Sequence, residues 1–93
     1  MKDKATKEQS PPGFIVERVQ TGVRVEKRIL KVLKALAEYL DMTLGDLLEG
    51  VVLHAFEGKA PFGPETLAKV EQLKGVYGLE LDASASHRLE ERS

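Results

Sequence analysis

The sequence predicts a mainly α-helical fold: one short N-terminal strand, two helices and a third C-terminal helix, with the strand paired to its own copy in a second protomer as an antiparallel two-stranded ribbon. Three observations predict it. Val19, Thr21, Val23 and Val25 alternate with Arg18, Gln20, Gly22 and Arg24, which is the period of a half-buried strand. Apolar residues then recur at spacings of three and four from Ile29 onward, the period of a helix face. Finally, the chain offers that strand no convincing partner of its own.

Residues 1–14 are expected as a disordered arm. Met1 to Gly13 is polar and ends in Ser10-Pro11-Pro12-Gly13, a composition with too little apolar surface to offset its ordering entropy. It serves either as a solubilising tail or as a basic arm touching phosphates. Alternation begins at Ile15 and runs to Val25, with Gly22 weakening the strand because glycine has no side chain to pack.

The first helix carries Ile29, Leu30, Leu33, Leu36, Ala37 and Leu40 on one face and runs from Glu26 to Leu40. Glu26 is a poor capping residue, which leaves the helix start loosely defined. Asp41-Met42 breaks the pattern. Thr43-Leu44-Gly45-Asp46 then has the form of a helix start, the Thr43 hydroxyl being able to cap amides. A second helix carries Leu44, Leu47, Leu48, Val51, Val52, Ala55 and Phe56, and Gly58 is placed to end it.

A third helix opens at Gly63-Pro64, with Leu67, Val70, Leu73 and Tyr77 spaced by three or four and Gly78 as the stop. Residues 59–81 comprise this helix and an extension in which Leu79 and Leu81 alternate as a short extended piece. Residues 82–93 are polar and expected to form a flexible tail.

A lone strand leaves backbone N–H and C=O groups without partners, and burying one of its faces requires a second strand to supply the ladder. Leu79 to Leu81 is too short and lies beyond three helices. The economical partner is the same strand from a second copy about a two-fold axis. The strand and two helices, Val19 to Phe56, also amount to only 38 residues, a size at which oligomerisation usually has to assist folding. The dimer core is then expected to contain Val19, Thr21, Val23, Val25, Ile29, Leu33, Leu36, Leu47, Leu48, Val51 and Val52.

Of the 93 residues, 42% are hydrophobic and 31% charged, with no Trp, two Tyr and three Phe, so aliphatic side chains must build the core. The absence of cysteine excludes disulfides, thiolate chemistry and Cys-based zinc sites, and fits a reducing cytosol. No apolar run approaches the roughly 20 residues of a membrane span, and no signal-type apolar stretch follows the Lys-rich start. A soluble, cytoplasmic protein with no membrane partner is expected.

The formal net charge of −1 conceals two blocks. Between Glu17 and Lys34, six basic residues face only Glu17 and Glu26, a net of +4, whereas residues 35–93 carry −6. His54 and His87 have no acidic or cysteine neighbours at ligand spacing, so a structural or solvent role is expected, with no metal and no cofactor. Asp46 with Glu49, and Glu90 with Glu91, have no pocket, nucleophile or base nearby, and no glycine loop cradles a phosphate, so the chain is not expected to be an enzyme.

From Arg18 to Gly58, the strand Val19-Gln20-Thr21-Gly22-Val23-Arg24-Val25, the helix to Leu40, the tight turn Asp41-Met42 and the capped helix from Thr43 resemble the ribbon-helix-helix, Arc/MetJ-like, family of DNA-binding proteins. The resemblance covers some 40 residues and is carried by the order and lengths of the elements. It implies that residues 15–58 form a dimerisation and DNA-binding domain whose paired strands enter the major groove of double-stranded DNA. Carried over by position, Arg18, Gln20, Gly22 and Arg24 face base edges. Arg24 can bond guanine bidentately and Gln20 adenine, whereas Gly22 departs from the family by offering no side chain.

The amides of Thr43, Leu44 and Gly45 resemble the family's phosphate clamp, and Lys27, Arg28 and Lys31 are placed to add phosphate contacts. The implied function is a sequence-specific transcriptional regulator, repressor-like and homodimeric. Two alternatives stand beside it. One is an antitoxin whose residues 64–93 hold a toxin or other protein, the third helix otherwise being a lid on the dimer; the other is a dimeric protein-interaction module without DNA binding.

Overall fold

A computed structural model describes residues 13–92. All but Gly13 and Phe14 of the arm expected over residues 1–14, and Ser93 of the tail, lie outside the described residues. Three α-helices follow one another, α1 (Lys27–Tyr39), α2 (Leu44–Phe56) and α3 (Pro64–Tyr77), and a short 3-10 helix spans Ala83–Ala85. The mainly helical fold read from the sequence is therefore present, with each helix within a residue or two of its expected span.

Helix α1 starts at Lys27 because Glu26 does cap it. The Glu26 carboxylate oxygen Oε1 accepts hydrogen bonds from the backbone N–H groups of Arg28 and Ile29, each 2.9 Å long. These are two of the donors that every helix start leaves without an intrahelical partner. The expectation that Glu26 is a poor cap is thus corrected: its longer side chain folds back far enough to reach the amides.

The turn after α1 is set by Asp41, whose φ of 60° places it in the left-handed region. Asp41 N–H donates to Glu38 O at 3.1 Å and Met42 N–H to Ala37 O at 3.0 Å. This pair of bonds is the Schellman arrangement, which satisfies the last carbonyls of a helix while reversing the chain. Thr43 then caps α2 as expected, its Oγ1 accepting from Asp46 N–H at 3.1 Å. Gly58 and Gly78 close α2 and α3 in the left-handed conformation, at φ 69° and 66°.

Helix α1 is the shared element: it packs against both α3 and α2, whose backbones do not approach each other. The core is correspondingly small. Val32, Leu36, Ala37 and Leu47 are buried, with Leu33, Leu40, Val51, Phe62, Val70 and Leu73 packed around Leu36, Ala37 and Leu47. Val32 and Ala37 are buried although absent from the expected core, Ala37 packing with Leu36 and with Leu47 of α2. The Cα radius of gyration, 16.0 Å, exceeds the about 12 Å expected of a compact domain of this length.

No strand occurs among the described residues. Residues 13–25 run without helix or ladder, since a ladder needs a second strand and the described part of this chain supplies none. Leu79 and Leu81 are half-buried but likewise form no strand. Within residues 82–93 the Asp82 carboxylate accepts from Ser84 N–H at 3.0 Å and Ser84 Oγ at 2.6 Å, closing the 3-10 turn. No helix among the described residues is long and apolar enough to cross a membrane.

Candidate nucleic-acid interface

The segment from Arg18 to Val25 lies fully outside the single-chain core. Val19 and Val23 are 80% and 77% exposed, and Val25 is half-exposed. Val, on a face that alternates with Arg and Gln, has no reason to meet water unless something else covers it.

Helix α2 presents the same anomaly. Leu47 and Val51 turn toward α1, but Leu48, Val52, Ala55 and Phe56, at spacings of three and four, continue the apolar arc around the helix into solvent. Val52 is 42% exposed and Phe56 80%. An apolar arc this wide belongs to a helix buried on two sides. Of the eleven expected dimer-core residues, then, Leu36 and Leu47 are buried within the chain, Ile29, Leu33 and Val51 are half-buried, and Val19, Thr21, Val23, Val25, Leu48 and Val52 are uncovered.

The polar face has its own partners. Arg18 reaches Glu49 of α2 through two bonds, Nε to Oε2 and Nη2 to Oε1, both 2.8 Å, with Asp46 4.0 Å away. The hydrogen bond from Arg18, followed by its charge, holds the Glu49 carboxyl below the usual range and raises the Arg18 guanidinium above its own. Arg24 forms an ion pair with Glu91 at the far end of the tail. Gln20 and Gly22 are exposed beside them.

Arg28 donates from Nη1 to Gly78 O at 3.1 Å and from Nε to Glu26 Oε2 at 3.3 Å, so it ties the start of α1 to the end of α3. Lys31 Nζ lies 6.0 Å from the centroid of the Tyr77 ring, at the outer limit of a cation–π contact. Lys27 and Lys34 are exposed on α1. The α2 start at Thr43 and Gly45 faces an open groove that also holds Glu17, Arg18, Asp46 and Glu49, and Leu44 is not among its lining residues. Arg18 thus offsets two carboxylates standing next to a helix N-terminus whose dipole favours an anion.

Of the expected base-facing set, the structure brings Arg18 and the α2 start together, and it places Arg24 apart from them against the tail. Glu26, Asp46, Glu49 and Glu91 are the site residues that sequence reasoning missed. Glu26 and Asp46 had local signals, an acidic side chain at the first position of a helical pattern and one three places after the Thr43 cap. Compared with known proteins, the chain matches no family model, no curated protein and no solved structure significantly.

Proposed function

We propose that this chain is a homodimeric, sequence-specific DNA-binding regulator of ribbon-helix-helix type, repressor-like in action. The observation that carries the reading is that Val19, Val23 and Val25 and the outer arc of α2 stand uncovered on a chain whose N-terminal segment alternates those valines with Gln20 and Arg24. A second copy covers both surfaces at once. It supplies the strand that completes the ladder, and the helices that bury the valines.

With the valines turned inward, the polar face is a two-stranded ribbon of a width that the major groove accepts. Arg24 and Gln20 then reach base edges, and the α2 start with Lys27 and Lys31 lies against phosphates. The +4 block of residues 17–34 lies on the duplex, and DNA has to displace Glu49 and Glu91 from Arg18 and Arg24. Enrichment of bound duplexes from a random library, followed by anisotropy titration, tests the reading. Salt-sensitive binding near 100 mM salt that Arg24→Ala weakens about tenfold or more supports it; no selected duplex, or binding indifferent to Arg24, overturns it.

A second reading adds a protein partner on residues 64–93, antitoxin-like. Leu67 and Val76, 50% and 72% exposed on α3, favour it as apolar side chains open to a partner. Partner capture that Val76→Asp abolishes while DNA binding stays intact distinguishes this reading from the first.

A further inference from the structure

Gly22 has no explanation inside the chain. A Cβ built there meets nothing within 4 Å, and Gly22 is not among the residues with positive φ. Neither crowding nor backbone conformation requires glycine at a position where any other residue makes a better strand. Open space of this kind also surrounds Gly13, Gly50, Gly63 and Gly75, so what sets Gly22 apart is what its segment meets. On the dimer reading above, on which this inference rests, it meets its own copy.

We infer that the two-fold axis of the ribbon passes between the two copies of Gly22, so that residue 22 of one chain stands directly opposite residue 22 of the other. In a symmetric antiparallel pair the choice of axis fixes every cross-strand neighbour, and the candidate axes differ sharply in the pairs they make. An axis at Thr21 sets Arg18 opposite Arg24 of the second copy, twice, a like-charge opposition that destabilises. At Gln20 the axis sets Glu17 against Val23 on the face that must be buried. At Val23 it pairs Gly22 with Arg24 and leaves Val19 opposite Lys27, already the first residue of α1.

The axis at Gly22 pairs Val19 with Val25 and Thr21 with Val23 on the inner face, and Gln20 with Arg24 and Arg18 with Glu26 on the outer one. Apolar meets apolar, and every charged residue meets an opposite or neutral partner. Glu26, at φ −55° and ψ 138°, is extended backbone that can still belong to the ribbon.

This register gives the glycine a purpose. Two facing glycines leave a notch at the centre of the reading face, flanked on each side by one Arg24 and one Gln20. The two Arg24 residues lie four residue steps apart along the ribbon, about 13 Å, which spans about four base-pair steps at roughly 3.4 Å each. The recognised sequence is accordingly two half-sites read by Arg24 and Gln20, with central base pairs that no side chain touches.

The cysteine-free sequence makes the register directly measurable. Full-length single-cysteine variants Gly22→Cys, Thr21→Cys and Val23→Cys are oxidised mildly and read as covalent dimer on a non-reducing gel. Directly opposed residues of an antiparallel pair have Cα atoms about 4.5–5.5 Å apart, within disulfide reach, whereas residue 21 or 23 lies roughly 8 Å from its own copy, beyond it. The expected result is covalent dimer from Gly22→Cys and its loss at the two neighbours.

A second pair guards against a local effect at residue 22: Gln20→Cys and Arg24→Cys should each fail to cross-link alone and should cross-link when mixed. Covalent dimer at 21 or 23 in place of 22, or none in any combination from a protein that light scattering shows to be dimeric, overturns the register and leaves the dimer standing. A monomer at every concentration overturns both.

Discussion

Arg18 grips Glu49 with two 2.8 Å hydrogen bonds that bridge 31 positions of sequence and tie the N-terminal segment to α2. The pair is exposed, and exposed ion pairs add little to stability, so its main consequence is where it leaves the arginine. A cation on the outward side of the segment is committed to a carboxylate of its own chain and neutralised beside the α2 start. Glu49→Gln should release it. On the proposed function, DNA binding then tightens at low salt and the slope of log affinity against log salt steepens by about one per released cation. Anisotropy titrations across a salt series measure both, and weaker binding by Glu49→Gln assigns Arg18 to positioning the segment alone.

The cap at Glu26 makes the start of α1 sensitive to pH. The bond from Ile29 N–H leads the causes that hold the Glu26 carboxyl below its ordinary 4.5. A folded-state value lowered in this way contributes stability that is present above 4.5 and is lost as pH falls through the lower folded value. Glu26→Gln removes the titration. Its thermal midpoint should lie below that of the wild type at neutral pH, and the two should converge as pH falls below 4.5. A midpoint difference that persists unchanged in acid counts against the carboxylate as the cap.

These two carboxylates show what the sequence made legible. The three helices were readable because spacing of apolar residues, Thr43, Pro64, Gly58 and Gly78 are local signals, and each helix formed where they stood. Glu26 was misjudged because cap preferences favour short side chains, and they do not weigh a longer one folding back on its own helix. Glu49 and Glu91 were invisible for a different reason: periodicity fixes which face a residue occupies, not which residue 31 or 67 positions away lies across from it. The 3-10 turn at Ala83–Ala85 did have a local signal, Asp82 two residues before Ser84, which the polar composition around it concealed.

Asp41, like His87, is a non-glycine residue with positive φ, and its backbone strain can be relieved. At φ 60° it holds a conformation that costs most L-residues roughly 1–2 kcal/mol, and glycine adopts it freely. The Asp41 side chain is exposed, and the reversal depends on backbone bonds from Asp41 and Met42 that glycine retains. Asp41→Gly should therefore stabilise the chain by about 0.5–1 kcal/mol after the entropy glycine gains on unfolding is subtracted. Chemical denaturation measures it, and a loss of stability shows that the aspartate side chain contributes something the backbone geometry does not reveal.

The two apolar surfaces of α2 should answer differently to mutation. Leu36, 2% exposed, fills the space between α1 and α2 against Ala37 and Leu47. Leu36→Ala should lower stability by about 2–5 kcal/mol through the cavity it opens. The loss belongs to the folded chain itself. Val52 lies on the opposite arc, with solvent before it in the single chain, so a charge there should cost little if no second chain exists. If a second copy buries that arc, Val52→Asp places a carboxylate in an apolar interface, and such a charge disfavours association strongly. Thermal midpoints at two protein concentrations tenfold or more apart separate the cases, because a dimer's midpoint rises with concentration and a monomer's does not. Wild type and Leu36→Ala should both show the rise, the variant at lower temperature throughout, whereas Val52→Asp should lose it. A Val52→Asp midpoint that matches wild type at both concentrations removes the outer face of α2 from the interface.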